Sequence, residues 1–189
     1  MTTFKVILVL LSLIIFQKAE SQTTCITAEE KRLYKLINEY RQEKGLEKIT
    51  LSVSLTIVAQ THVKDLEENN PDKGNCNLHS WSDKGKGKWK GCCYTDDHKK
   101  ATCMWDKPKE LTNYQDYGFE ISCQGLDADK ALSALNMWKS SSAHNAVIIN
   151  EGIWKTSEWK AVGVGIYGDY AVVWFGKETD EAGTPADCK

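Results

Sequence analysis

Apolar residues recur along the chain with two periods. Leu33, Leu36, Ile37 and Tyr40 are spaced by three and four, the period of one helix face. Thr27 followed by Glu30 sets a capping box before them, and Gly45 closes the helix. Leu55, Val58, Ala59, His62, Val63 and Leu66 repeat the pattern and predict a second helix over 52–68, stopped by Asn69, Asn70 and Pro71. Leu132, Leu135 and Trp138 predict a third over 128–139. Near the end the period shortens. Residues 161–167 and 170–175 read as strands about a Gly168-Asp169 turn, a hairpin. Between these regions, residues 72–113 carry no sustained period and are rich in Gly, Lys, Asp and Cys. A structureless loop of that length is unusual in a compact domain unless something staples it. The pattern predicts an α+β domain in which helices cover an antiparallel sheet.

The first residues do not belong to that domain. Lys5 precedes an apolar run over 6–16, and small residues Ala19 and Ser21 precede Gln22. That is the layout of a secretory signal peptide over 1–21, which leaves 22–189 as a single secreted, extracellular domain. No second apolar run reaches membrane length, so no transmembrane segment is expected. The formal net charge of −2 gives no argument for nucleic-acid or membrane-surface binding.

An exported chain changes the reading of its cysteines. Cys25, Cys76, Cys92, Cys93, Cys103, Cys123 and Cys188 read as disulfide partners in an oxidising compartment. Their connectivity stays open. The odd cysteine leaves a free thiol or an intermolecular bridge, hence a monomer or a disulfide-linked dimer. Zinc is the competing reading, but no Cys-x-x-Cys pair exists and Cys92–Cys93 are adjacent, which suits a tetrahedral site poorly.

Four histidines are candidates for chemistry. His62 falls on the apolar face of the second helix and reads as a packed, hydrogen-bonded core residue. His98, among charges, reads as solvated surface. His79, in Asn-Leu-His-Ser, and His144, in Ser-Ser-Ala-His, lie on no obvious helix face. Two neutral imidazoles from distant segments could converge on a divalent cation such as zinc, with a carboxylate to orient them. Lys84, Lys86, Lys88 and Lys90 alternate along the insert around Trp89, a cationic and aromatic loop. Trp138, Trp159 and Trp174 read as core.

Leu33 to Leu66 holds Asn38 and Arg41 as Asn-x-x-Arg, then Gly45-Leu46, then Leu55, Ala59 and His62. His79-Ser80 follows, then Gly118-Phe-Glu120-Ile-Ser, then Trp138, Ser141 and His144 as Trp-x-x-Ser-x-x-His, then the closing hairpin. In this order the motifs resemble the CAP superfamily, named for cysteine-rich secretory proteins, antigen 5 and pathogenesis-related proteins. The resemblance implies a three-layer α-β-α sandwich. It also implies a cleft whose cation ligands would be His79, His144 and Glu120, lined by Ser80 and Ser141. Ser141 stands where the family usually has its second acid, so the tetrad is incomplete. The resemblance implies a secreted, non-enzymatic domain that binds Zn2+ or another divalent cation, with a lipid or an extracellular protein or glycan as partner. Two alternatives stand beside it: a protease-like hydrolase using the His/Glu cleft, with Ser80, Ser141 and Ser142 near the histidines in sequence, and a binding module acting through the basic insert at about 72–113.

Overall fold

The computed structural model describes residues 24–189. The expected signal peptide over 1–21 lies outside the described residues. The first helix, α1 (Ala28–Glu43), starts at the Thr27/Glu30 capping box, whose two reciprocal hydrogen bonds are both made. A short strand, β2 (Thr50–Leu51), leads into α2 (Val53–Asn69). Ser52 caps α2 through its side chain, and the Asp180 carboxylate accepts from the Ser52 and Ser54 hydroxyls and the Ser54 N–H. Asn70 ends α2 in the left-handed conformation, at φ 49°.

The central sheet has the order β2-β4-β5-β3, with β3 at Gly118–Gln124, β4 at Ala161–Tyr167 and β5 at Tyr170–Gly176. β4 and β5 form the expected hairpin, turned by Gly168 at φ +54°. β3 pairs antiparallel with β5, but β2 runs parallel to β4. The sheet is therefore mixed, which corrects the expectation of an antiparallel one. Residues 52–160 separate β2 from β4, and a connection of that length permits parallel pairing. A second, two-stranded parallel sheet joins β1 (Cys25–Ile26) to β6 (Ala186–Asp187), and the Cys25–Cys188 disulfide locks the two ends beside it.

Helices cover both faces of the central sheet. Leu55, Val58, Ala59, Val63 and Leu66 of α2 pack with Val172 and Trp174 on one face. On the other, α1 packs with α5 (Lys130–Ser140) and α6 (Ser142–Ile148) over Ile121, Val162, Val164, Val173 and Phe175. The three-layer sandwich expected from the resemblance is present. α5 begins two residues later than its apolar period suggests, because Asp129 caps it. α2 lies directly against the backbone of β4. A Cβ on Gly163 would meet the Leu55 carbonyl carbon at 2.0 Å, and one on Gly165 would meet that of Ala59 at 2.6 Å.

The insert is ordered. It contains a single-turn helix at Asp83–Gly85 and two five-residue helices, α3 (Ala101–Trp105) and α4 (Lys107–Leu111). Cys76–Cys93 and Cys92–Cys103 staple it, and Trp81 pairs with Cys92 as an antiparallel bridge. Cys123 is left free, facing the sheet core on β3. Burial pushes its thiol up to about 12. Of the two readings of the odd cysteine, a free thiol or an intermolecular bridge, its burial supports the free thiol.

Two stability outcomes follow from this packing. Gly163→Ala forces α2 off β4 and lowers unfolding free energy by about 3 kcal/mol or prevents folding, read by denaturant unfolding. Removing the Cys25–Cys188 bridge as the double serine variant frees nearly the whole chain and costs about 4–5 kcal/mol in the same measurement.

Candidate functional site

The turn that carries His79 is built from several local ties. Asn77 Oδ1 accepts the His79 N–H at 3.1 Å, and the Asn77 N–H donates to the Tyr94 carbonyl at 2.8 Å. The Tyr94 N–H in turn donates to the Ser80 hydroxyl oxygen at 2.9 Å. Cys76–Cys93 clamps the same two strands of chain together. Tyr94 also stands edge-on to the His79 ring, with centroids 5.3 Å apart.

Glu120 projects from β3 toward α2 and is completely buried in its side chain. Both of its oxygens meet imidazoles. Oε1 lies 2.5 Å from Nδ1 of His62, and Oε2 accepts from Nδ1 of His79 at 2.9 Å. Burial alone would raise the Glu120 carboxyl. The charge and hydrogen bond of His62, followed by those of His79, outweigh it and hold the carboxyl below its ordinary value. The remaining nitrogen of His62 donates to the Ser80 carbonyl at 2.9 Å.

His144 approaches from the other helical layer. It sits in the first turn of α6, and α6 is held from α1. Arg41 donates to the Ile148 carbonyl at 2.5 Å and to Asn150 Oδ1 at 2.6 Å, while the Tyr40 hydroxyl donates to Asn145 Oδ1 at 3.0 Å. A guanidinium at a helix C-terminus is favoured by the exposed carbonyls there. Burial lowers the His144 pKa, nearby His79 lowers it further, and Glu120 partly offsets both. His144 makes no direct hydrogen bond to His79 or Glu120.

The expected site residues are thus only partly united. His79 and Glu120 touch, and His144 lies within their electrostatic reach. Among the described residues, no three His, Cys, Asp or Glu side chains form a group with metal-holding geometry. Glu120 acts on the histidines as an orienting acceptor. Ser80 does not line a cleft: it is fully buried, with its hydroxyl engaged by the Tyr94 backbone. Ser141 is the half-buried joint between α5 and α6. The four insert lysines are all exposed. A cavity of about 650 Å³, not lined by His79, Glu120 or His144, runs along α2 past Gln60, Lys64, Trp89 and Tyr167.

His62 and Tyr94 were not legible as site residues. His62 fits an apolar helix face, and that reading of it as a buried, hydrogen-bonded residue is correct. Its partner lies 58 positions away, on another element. His98, read as solvated, is exposed, with Nδ1 hydrogen-bonded to the Tyr94 hydroxyl at 3.1 Å.

A profile of the Cysteine-rich secretory protein family, CAP, matches residues 34–174. The chain belongs to the CAP family. Among solved structures, this CAP domain resembles an extracellular protein containing an SCP domain from Bacillus anthracis, at 18% identity and a TM-score of 0.53. The match covers 79% of this chain and 40% of the Bacillus protein, so the chain spans about two fifths of that relative. An outer surface protein of Borrelia burgdorferi matches at 19% identity and a TM-score of 0.53, over 79% of this chain and 92% of the Borrelia chain. A cysteine-rich secretory protein of Staphylococcus aureus matches at 17% identity and 0.50, over 79% and 39%. These identities establish the shared fold alone. No curated protein sequence matches the chain. No helix among the described residues is long and apolar enough to cross a membrane.

The depressed Glu120 carboxyl has a pH signature. Its contribution is complete above the unfolded carboxyl value of about 4.3 and is lost as pH falls through the lower folded value. Glu120→Gln breaks a buried charged pair and costs about 3–5 kcal/mol at neutral pH. Denaturant midpoints of the two proteins at pH 7 and pH 3 check this, with the gap narrowing at pH 3.

Proposed function

We propose that this CAP domain is a non-enzymatic extracellular binding module whose His79 and His144 offer two imidazole nitrogens to a divalent cation such as Zn2+. The observation that carries the reading is the His79–Glu120 hydrogen bond. It directs the Nδ1 proton of His79 at the carboxylate and leaves Nε2 as a lone pair, the arrangement in which a carboxylate orients a ligating histidine. Nε2 of His79 has no hydrogen-bond partner among the described residues, and the side chain stays 17% exposed. Burial favours the neutral form of His144, the form that can ligate. Two nitrogens, with water or a partner's groups completing the shell, support weak binding. A partner such as a lipid or an extracellular protein would meet the protein at this shared coordination shell. Calorimetric titration with zinc tests the reading on the oxidised protein and on the His79→Ala/His144→Ala variant. Micromolar binding lost in the variant supports it, and equal affinities overturn it.

The hydrolase alternative has no nucleophile to support it. No serine hydroxyl hydrogen-bonds to a histidine among the described residues, and Ser80 is sealed from solvent. The basic insert remains a second reading on a specific observation. Its four lysines are exposed, and among the described residues only the Lys84 ammonium lies within ion-pair distance of an acid, Asp83 at 3.3 Å. Changing all four to serine lowers retention on a heparin column at low salt if the loop meets a sulfated glycan.

A further inference from the structure

His62 lies under the proposed cation site, and its hydrogen bonds constrain the chemistry above it. Both of its ring nitrogens face oxygens. The Ser80 carbonyl, 2.9 Å from Nε2, has no proton to give. That nitrogen therefore carries hydrogen. The Glu120 carboxyl group lies 2.5 Å from Nδ1. Both ring nitrogens are therefore engaged, one by the main chain beside His79 and one by the carboxyl that also meets His79. The ring cannot turn to escape this. Trp81 stacks flat on it at 4.2 Å and 5°, and Trp174 meets it edge-on at 6.3 Å. His62 is 0% exposed, so water cannot take its place, and it cannot itself touch a cation.

The contacts also close on themselves. His62 binds the carbonyl of Ser80, the residue after His79, and it binds one oxygen of Glu120. His79 binds the other oxygen. One buried ring thus clamps both the main chain beside His79 and the acceptor that orients the His79 imidazole. We propose that His62 is the positioning residue of this site, fixing the tautomer and ring direction in which His79 presents Nε2. The proposal rests on the reading of His79 as a cation ligand.

Two measurements on oxidised protein test it. The first is ¹⁵N NMR of the imidazole nitrogens without metal, in the wild type and in His62→Leu and His62→Gln. In the wild type, His79 shows hydrogen on Nδ1 alone. In His62→Leu, His79 loses its single tautomer. His62→Gln, whose amide group can still donate to Glu120, keeps it. The second is zinc affinity, which falls about ten- to hundredfold in His62→Leu, as for other partners that orient a ligand, and recovers in His62→Gln. A folded His62→Leu with unchanged His79 tautomer and zinc affinity overturns the proposal. So does a wild-type His79 without the single Nδ1–H tautomer, a result that needs no variant to fold. Absence of zinc binding by the wild type removes the cation reading instead, and the NMR pattern still decides the role of His62.

Discussion

A carboxylate with no access to water sits at the meeting point of three parts of this protein. Glu120 comes from the sheet, His62 from α2 and His79 from the turn that opens the insert. An ionised carboxyl in such surroundings is tolerable only when charge and hydrogen bonds replace its lost hydration. Two imidazoles do so here, one on each oxygen. Neither helix, strand nor loop can shift without exposing part of that demand. The same constraint that fixes the layers relative to one another also gives His79 a defined tautomer.

The insert shows how a segment without apolar periodicity becomes rigid. Its two disulfides close short loops, and Trp81 anchors it in the core beneath α2. Lys107 provides a third tie. Its buried ammonium donates to the Lys90 carbonyl at 2.6 Å and to Glu110 at 2.7 Å, and it lies 5.5 Å from the centre of the Trp81 ring. Burial lowers the Lys107 pKa, and Glu110 offsets part of that effect. Glu110 also accepts the Lys90 N–H at 2.8 Å. The exposed lysines consequently stand on a braced frame, and Trp81 joins that frame to the His62 ring.

Polar residues perform comparable work on the opposite face. Asn38 makes two hydrogen bonds with the Ile49 backbone, donating at 3.1 Å and accepting at 2.8 Å, which guides the chain from α1 toward β2. Arg41, brought down to about 10 by burial, remains charged while it holds the end of α6. The Asn-x-x-Arg spacing places both side chains inward from one helix, because residues three apart share a face. The distance from Arg41 to His144 is bridged by α6 itself.

Local chemistry was enough to determine α1, α2, α5 and the closing hairpin. Their apolar periods, the Thr27/Glu30 box and the Gly168-Asp169 turn each act within a few residues, so their signal is contiguous in the sequence. The ordered motifs from Asn38 to His144 were enough to identify the family and to name His79, Glu120 and His144 as candidates. What required tertiary structure was every relation between distant segments: the parallel pairing of β2 with β4, the disulfide partners, the burial of Cys123 and the enclosure of Ser80. His62 is the clearest example. Its helical position made it a core residue, correctly, but nothing near it in sequence reveals that Glu120 and the Ser80 carbonyl would meet its two nitrogens. Hydrogen bonds and close packing depend on separations of a few ångströms, and only the completed fold sets those separations between residues dozens of positions apart.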